Sequence, residues 1–320
     1  MFSTRQVNSL AKSDRPFHTI LDEEISDGDA SEDTIKTYSQ QFKLFVSWCN
    51  DRRIELTELV EEHIKQYRRH LVNRNLKTTT IALKLSVIRR VFDIAVERGL
   101  MATNPATKVK PPKRRRDPAA NKNYLELEEA RQLIGFLPKD NSLVGLRDRL
   151  LVLLMVVQGC RQIGLYRLNV GDIIRKKDKI GLQVTAKGSV RVVPLTSDVA
   201  KVLDKYLSAR RASGKRLTKD SAMFISVSPN SDGKRLTRRS MQNIVNECLA
   251  KASLKYSENR TVTTHGLRHT VGYLLTQAGK PLRVIQEALG HADPRTTAIY
   301  AHIVNLWTDN PFDSIFLNSA

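Results

Sequence analysis

Two stretches toward the C-terminal end of the chain concentrate side chains suited to handling a phosphate. In "TVTTHGLRHTVGYLL", residues 261–275, His265, Arg268 and His269 fall in the first turns of a segment whose apolar spacing predicts a helix. A helix N-terminus already carries about half a positive charge from its aligned peptide dipoles, so cations placed there work against the macrodipole and imply an anion. His265 and Arg268 are three residues apart, hence neighbours on one helical face, and Thr263 or Thr264 can cap the helix. An arginine fork, an imidazole and the first free N–H groups make a cradle for a tetrahedral oxyanion. The triplet alone is weak, because a surface histidine beside a surface arginine is the commoner origin of H-x-x-R.

The second stretch is "EALGHADPRTTAIYAH", residues 287–302. Gly290 ends one predicted helix, His291 stands in the turn, and Asp293 and Pro294 form an N-cap and first-turn pair that starts another. Tyr300 follows on that helix. A lone tyrosine there is more often half-buried core; after H-x-x-R and G-H it becomes a candidate nucleophile.

The chemistry these types imply is attack on a phosphodiester. Charge must spread over the equatorial oxygens as a nucleophile approaches, so positive groups aimed at those oxygens carry the catalysis. Arginines do so at any working pH and without a metal. A phenol with an ordinary pKa of about 10 attacks poorly unless a base or cationic surroundings favour the phenolate. The sequence offers no P-loop and no carboxylate cluster spaced for metal, so neither a cofactor nor a metal is expected.

Composition agrees with an anionic partner. The chain has 320 residues, 41% hydrophobic and 27% charged, with a formal net charge of +20. Its pI is about 10.0, an excess that self-repels unless a polyanion neutralises it. Nucleic acid leads on charge, although a basic ribosomal or membrane-surface protein has the same balance. No apolar N-terminal stretch follows a basic head, and the longest apolar run, "LLVLLMVV" at 150–157, is far short of the ~20 residues that span a bilayer. Cys49, Cys160 and Cys248 form no C-x-x-C pair, a pattern that fits a reducing cytoplasm.

The elements that must position these residues fall into two predicted domains. Residues 1–30 read as a polar arm. Residues 31–107 read as a helical bundle: Ile35, Tyr38, Phe42, Phe45 and Val46 recur at helical spacing with Ser31 or Asp33 as cap, and helices follow at about 57–72 and 78–98. The third places Ile81, Leu85, Ile88, Phe92 and Ala95 on one face with Lys84, Arg89 and Arg90 elsewhere, and Gly99 ends it. Residues 108–123 read as a basic linker, since the prolines around it forbid a continuous helix and Asp117 alone opposes Lys108, Lys110, Lys113, Arg114, Arg115, Arg116 and Lys122. Such a linker is either merely solvated or laid along a phosphate backbone.

From 124 to 303 helices are predicted at 124–137, 142–157, 196–211, 237–252, 265–278 and 281–289. Between Ile173 and Leu195 the period changes to β-branched alternation with a turn after Lys187, which predicts a small antiparallel sheet. Residues 304–320 form a tail with Phe312, Ile315 and Phe316 at helical spacing.

From about Ser31 to about Ile303 the chain resembles the tyrosine recombinases, the integrase family that includes Xer recombinases and many phage and transposon integrases. "SEDTIKTYSQQFKLFVSW", "TTTIALKLSVIRRVFDIAVERGLMATNPA" and "VKPPK" are similar to the family's core-binding domain. "YLELEEARQLI", "GLRDRLLVLLMVVQGCRQIGLYRLNVGDI", "AKGSVRVVPL", "THGLRHT" and "LGHADPRTTAIYAH" match its catalytic motifs in their usual order. The resemblance implies a mainly α fold with a small antiparallel β-sheet: an all-helical, SAM-like core-binding domain and an α+β catalytic domain closing as a C-shaped clamp on DNA.

Carried over residue by residue, it implies that Arg161 and Arg268 fork onto the scissile phosphate. Lys187 would protonate the departing 5′ oxygen, and His265 and His291 would relay the nucleophile's proton and hold the phosphate. Tyr300 would form a 3′-phosphotyrosyl link. Lys84, Arg89, Arg90, Arg191, Arg238 and Arg239 join the linker cations as expected DNA contacts. Implied partners are double-stranded DNA with inverted-repeat half-sites and further copies of the chain, a dimer per site and a tetramer in synapsis. The tail would dock into a neighbouring protomer, and the resemblance leaves room for an accessory recombination factor. No membrane is implied, and a cytoplasmic, nucleoid-associated location is.

One departure stands out. Three residues after Arg161 the family usually carries an acid, and this chain has Gly164. That acid buttresses the arginine, so its loss points to a weak or partner-dependent enzyme unless Asp172, water or another subunit compensates. A catalytically inactive architectural protein, or an enzyme akin to telomere resolvases or type IB topoisomerases, are the alternative readings. Cys160 is read as packing.

Overall fold

The computed structural model describes residues 32–113, 123–177, 179–186, 189–257 and 260–290, with Phe17, Thr19, Ile20 and Glu23 ahead of them. The chain divides into two compact units, Met1–Arg116 and Asp117–Ala320. Among the described residues no helix is long and apolar enough to cross a membrane.

The first unit is built on three helices, α1 (Glu32–Asn50), α2 (Glu61–Asn73) and α3 (Thr78–Glu97). Helical spacing of large apolar side chains gives each one buried stripe. Phe42, Phe45 and Trp48 of α1, Tyr67 of α2 and Phe92 of α3 form the centre of the core, with Phe45 and Tyr67 in an edge-on contact at 4.9 Å. Gly99 takes φ +70° after α3, as a helix terminator should. Asp33 lies inside α1 and cannot cap it; Ser31 lies outside the described residues.

The segment after α3 belongs to this unit. Asn104 donates to Asp93 at 2.6 Å and to the Arg89 carbonyl at 2.9 Å, and Val109 is buried in the helical core. Part of the stretch that its charge alone assigns to a linker is therefore packed against α3.

The second unit begins with α4 (Leu127–Gly135) and α5 (Leu143–Val156), then a short α6 (Gln162–Arg167). The apolar run Leu150–Val156 buries the second half of α5, which packs against α7 (Ser197–Ala212), α8 (Arg238–Lys251) and α9 (Thr264–Gln277). A three-stranded antiparallel sheet, β1 (Ile173–Lys176), β2 (Lys179–Ala186) and β3 (Ser189–Pro194), runs in sequence order. Its register pairs Ile173 with Leu182, Leu182 with Val193 and Ala186 with Ser189. A two-residue hairpin, β4 (Tyr256–Ser257) and β5 (Arg260–Thr261), precedes α9, and α10 (Leu282–Leu289) packs on α9. The sequence pattern gave no sign of α6 or of the second hairpin, because both are too short to show a period.

Candidate active site around Arg161 and Arg268

The start of α9 is fixed from several directions. Thr263 is the N-cap, its hydroxyl accepting from the Gly266 amide at 3.2 Å. The Asn123 carbonyl lies so close to Gly266 that a Cβ there would meet it at 2.5 Å. Only glycine lets the chain pass. One turn on, buried Thr270 accepts from the Leu125 amide at 2.9 Å and donates to the Gly266 carbonyl at 3.0 Å. The segment entering the second unit is thus laced to the helix that carries the site's residues.

Arg268 does not share an outward cradle with His265. It is 1% exposed, donating through Nη1 to the Gly159 carbonyl at 2.6 Å and through Nη2 to the Leu289 carbonyl. His265 stays at the surface, its ring edge-on to that of His269 with centroids 4.5 Å apart. Burial, His265 and Arg268 together pull the His269 pKa down from 6.5 to about 4, so this imidazole is neutral at pH 7.

Arg161 reaches the same place from another element. Gly159 leaves α5 with φ +61°, and the turn it makes puts Arg161 at the N-cap of α6. Arg161 Nη1 then donates to the Gly290 carbonyl at 3.2 Å. Between the two, Cys160 is buried, and its pKa is pushed up to about 11 by desolvation, partly offset by Arg191 and Arg268. The thiol is inert packing, held among guanidinium groups.

A third arginine completes the cluster. Arg191 Nη1 donates to the Ala288 carbonyl. Consecutive carbonyls at the end of α10, those of Ala288, Leu289 and Gly290, therefore receive Arg191, Arg268 and Arg161 in turn. A helix C-terminus carries about half a negative charge on such carbonyls, which offsets the repulsion among the guanidiniums. Gly290 ends the helix with φ +60° and ψ +55°, and His291 is the next residue in the chain.

Other expected residues divide cleanly. Lys187, His291, Tyr300, Arg114, Arg115, Arg116, Lys122 and the 304–320 tail lie outside the described residues. Lys84 is corrected: it is 8% exposed, its ammonium bonded to Gln41 at 2.6 Å. Arg89 is likewise turned inward, donating to the carbonyls of Ala106 at 3.3 Å and Val109 at 3.0 Å. Arg90, Lys108, Lys110, Lys113, Arg238 and Arg239 are exposed. Gly164 is buried in α6, and Asp172 gives its carboxylate to the Asn169 amide at 2.7 Å. Among the described residues no group of three or more His, Cys, Asp or Glu side chains is placed to hold a metal ion.

Comparison with known proteins gives the chain's relatives. The model of the phage integrase family matches residues 123–305, and that of the phage integrase N-terminal SAM-like domain matches residues 22–99. The chain is similar to the tyrosine recombinase XerC of Proteus mirabilis, with 30% identity over 84% of this chain and 83% of the relative. It is also 29% identical to XerC of Leptospira interrogans, over 85% of this chain and 84% of the relative. Its backbone resembles that of the XerH site-specific recombinase in a post-cleavage complex with a palindromic difH substrate. There the TM-score is 0.73 at 20% identity, over 95% of this chain and 85% of the other.

Proposed function

The chain belongs to the phage integrase family and is a site-specific tyrosine recombinase, a DNA strand-transferase; we propose that its chemistry runs at one phosphodiester held between Arg161 and Arg268, with Tyr300 as nucleophile. The observation that carries this reading is the convergence of the two arginines on adjacent carbonyls, immediately before the segment that leads through His291 to Tyr300. A guanidinium has five N–H donors in a planar fork, so one edge can be held by protein while another meets a phosphate oxygen.

In the proposed reaction the Tyr300 oxygen attacks phosphorus and a P–O bond forms while the bond to the 5′ oxygen breaks. The phenolic proton passes toward the histidines, and Lys187 gives a proton to the leaving alkoxide. Both arginines neutralise charge growing on the non-bridging oxygens. The product is a 3′-phosphotyrosyl link that keeps the diester's energy, so a 5′ hydroxyl from another strand rejoins it without ATP or metal. Paired exchanges pass through a Holliday junction. The proposed substrate is double-stranded DNA with inverted-repeat half-sites, bound by a dimer per site and a tetramer in synapsis, with an accessory factor where synapsis needs one. A cytoplasmic, nucleoid-associated location follows from that substrate.

A nicked suicide duplex tests the reading. A covalent protein–DNA adduct is expected with the wild type and none with Tyr300→Phe. Gly164, with Asp172 engaged elsewhere, favours one second reading, a DNA-binding protein of the same fold that has lost turnover. That protein would bind the duplex and leave no adduct. Relaxation of supercoiled plasmid without recombinant product would mark a topoisomerase-like or resolvase-like outcome instead.

A further inference from the structure

β3 places one cation on its inner face. Strands alternate faces with a period of two, and here Val190 and Val192 are 60% and 55% exposed while Arg191 shares the inner face with Val193. A cation on the covered face of a sheet needs an acceptor, and Arg191 finds it in the Ala288 carbonyl, 97 residues further along the chain. Its stem lies flat across Gly290: a Cβ there would meet Arg191 Cδ at 2.5 Å and Nε at 3.0 Å. The positive φ of Gly290 favours glycine, and a side chain there would also have to displace the Arg191 stem.

We propose that Arg191 is a positioning residue for the arginine pair. It holds the last turn of α10 so that the Leu289 and Gly290 carbonyls stand where Arg268 and Arg161 can use them. The same hydrogen bond ties β3, the strand that follows Lys187, to the segment that precedes His291. In this proposal Arg191 acts through the carbonyl turn and not on the phosphate itself. The inference rests on Arg161 and Arg268 being the phosphate-binding pair.

Its test uses the full chain and a nicked duplex built on whichever genomic fragment the wild type captures covalently. Arg191→Met keeps the stem over Gly290 and removes the donors; Arg191→Ala removes both. Positioning predicts adduct formation slower by about 10- to 100-fold at saturating protein, with affinity for the duplex and its salt dependence unchanged. In the free protein, hydrogen exchange of the 282–290 amides should accelerate by about the same factor in both variants. Combined with Arg161→Lys, the loss should be well below the product of the single losses, because both act through one turn.

A phosphate contact gives the opposite pattern, namely weaker binding, a salt slope smaller by about one and unaltered exchange, and overturns the proposal. So does multiplicative loss in the double variant. If the wild type forms no adduct, the recombinase reading fails on its own, and the exchange measurement still decides what Arg191 holds.

Discussion

Arg268 donates to the Gly159 carbonyl at 2.6 Å, so the second arginine of the site holds the turn that launches the first, Arg161. In the proposed reaction phosphate binding and folding therefore draw on one guanidinium. Arg268→Lys keeps the charge but cannot span Gly159 and Leu289 together. We expect it to lose about 2 kcal/mol of stability in urea unfolding, as buried carbonyls lose their donor. Adduct formation should fall by about 100-fold or more.

Gly290→Ala meets a left-handed backbone first, and its methyl group would displace the flexible Arg191 stem. The first alone costs about 1–2 kcal/mol. The expected variant is folded, melts at lower temperature and cleaves slowly. A melting temperature equal to wild type would show that the α10 terminus is not held as described.

His269 carries a pH signature. Its folded pKa of about 4 lies below the unfolded value of 6.5, so the unfolded chain binds the proton more readily between those values. Stability from this group is whole above about pH 6.5 and is lost as pH falls toward about 4. His269→Asn should flatten that part of the stability–pH profile in chemical unfolding. An unchanged slope would exclude His269 as its source.

The fold was largely legible in the sequence, and the site only in part. Period-3.6 apolar spacing marked α1 and α3, a continuous apolar run marked α5, period-two alternation marked the β2–β3 hairpin, and Thr263 and Gly290 announced the start of α9 and the end of α10. What a sequence cannot show is where a long cationic side chain ends. Lys84, Arg89 and Arg191 read as surface charges, yet each is satisfied by an oxygen brought near only by folding: Gln41, the Ala106 and Val109 carbonyls, and the Ala288 carbonyl. The signal for Arg191 was its place between Val190 and Val192, both of which proved exposed. Predicting that inversion requires knowing which face of the sheet is covered.

These placements separate the cations in a DNA-binding assay. Lys84→Met replaces an ammonium bonded inside the first unit and should leave the salt slope of binding to a random duplex unchanged. Arg238→Ala and Arg239→Ala remove exposed charges at the start of α8 and should each lower that slope by about one. Fluorescence anisotropy across a salt series measures both.

In the proposed reaction one phenol is driven onto phosphorus by the converging arginines. Trapping the chain on nicked genomic duplex, digesting both polymers and sequencing the nucleotide-bearing peptide by mass spectrometry reads the linkage atom directly. The predicted result is a nucleotide joined through its 3′ phosphate to Tyr300, lost in Arg161→Ala. A linkage through any other residue, or one that survives without Arg161, would contradict it.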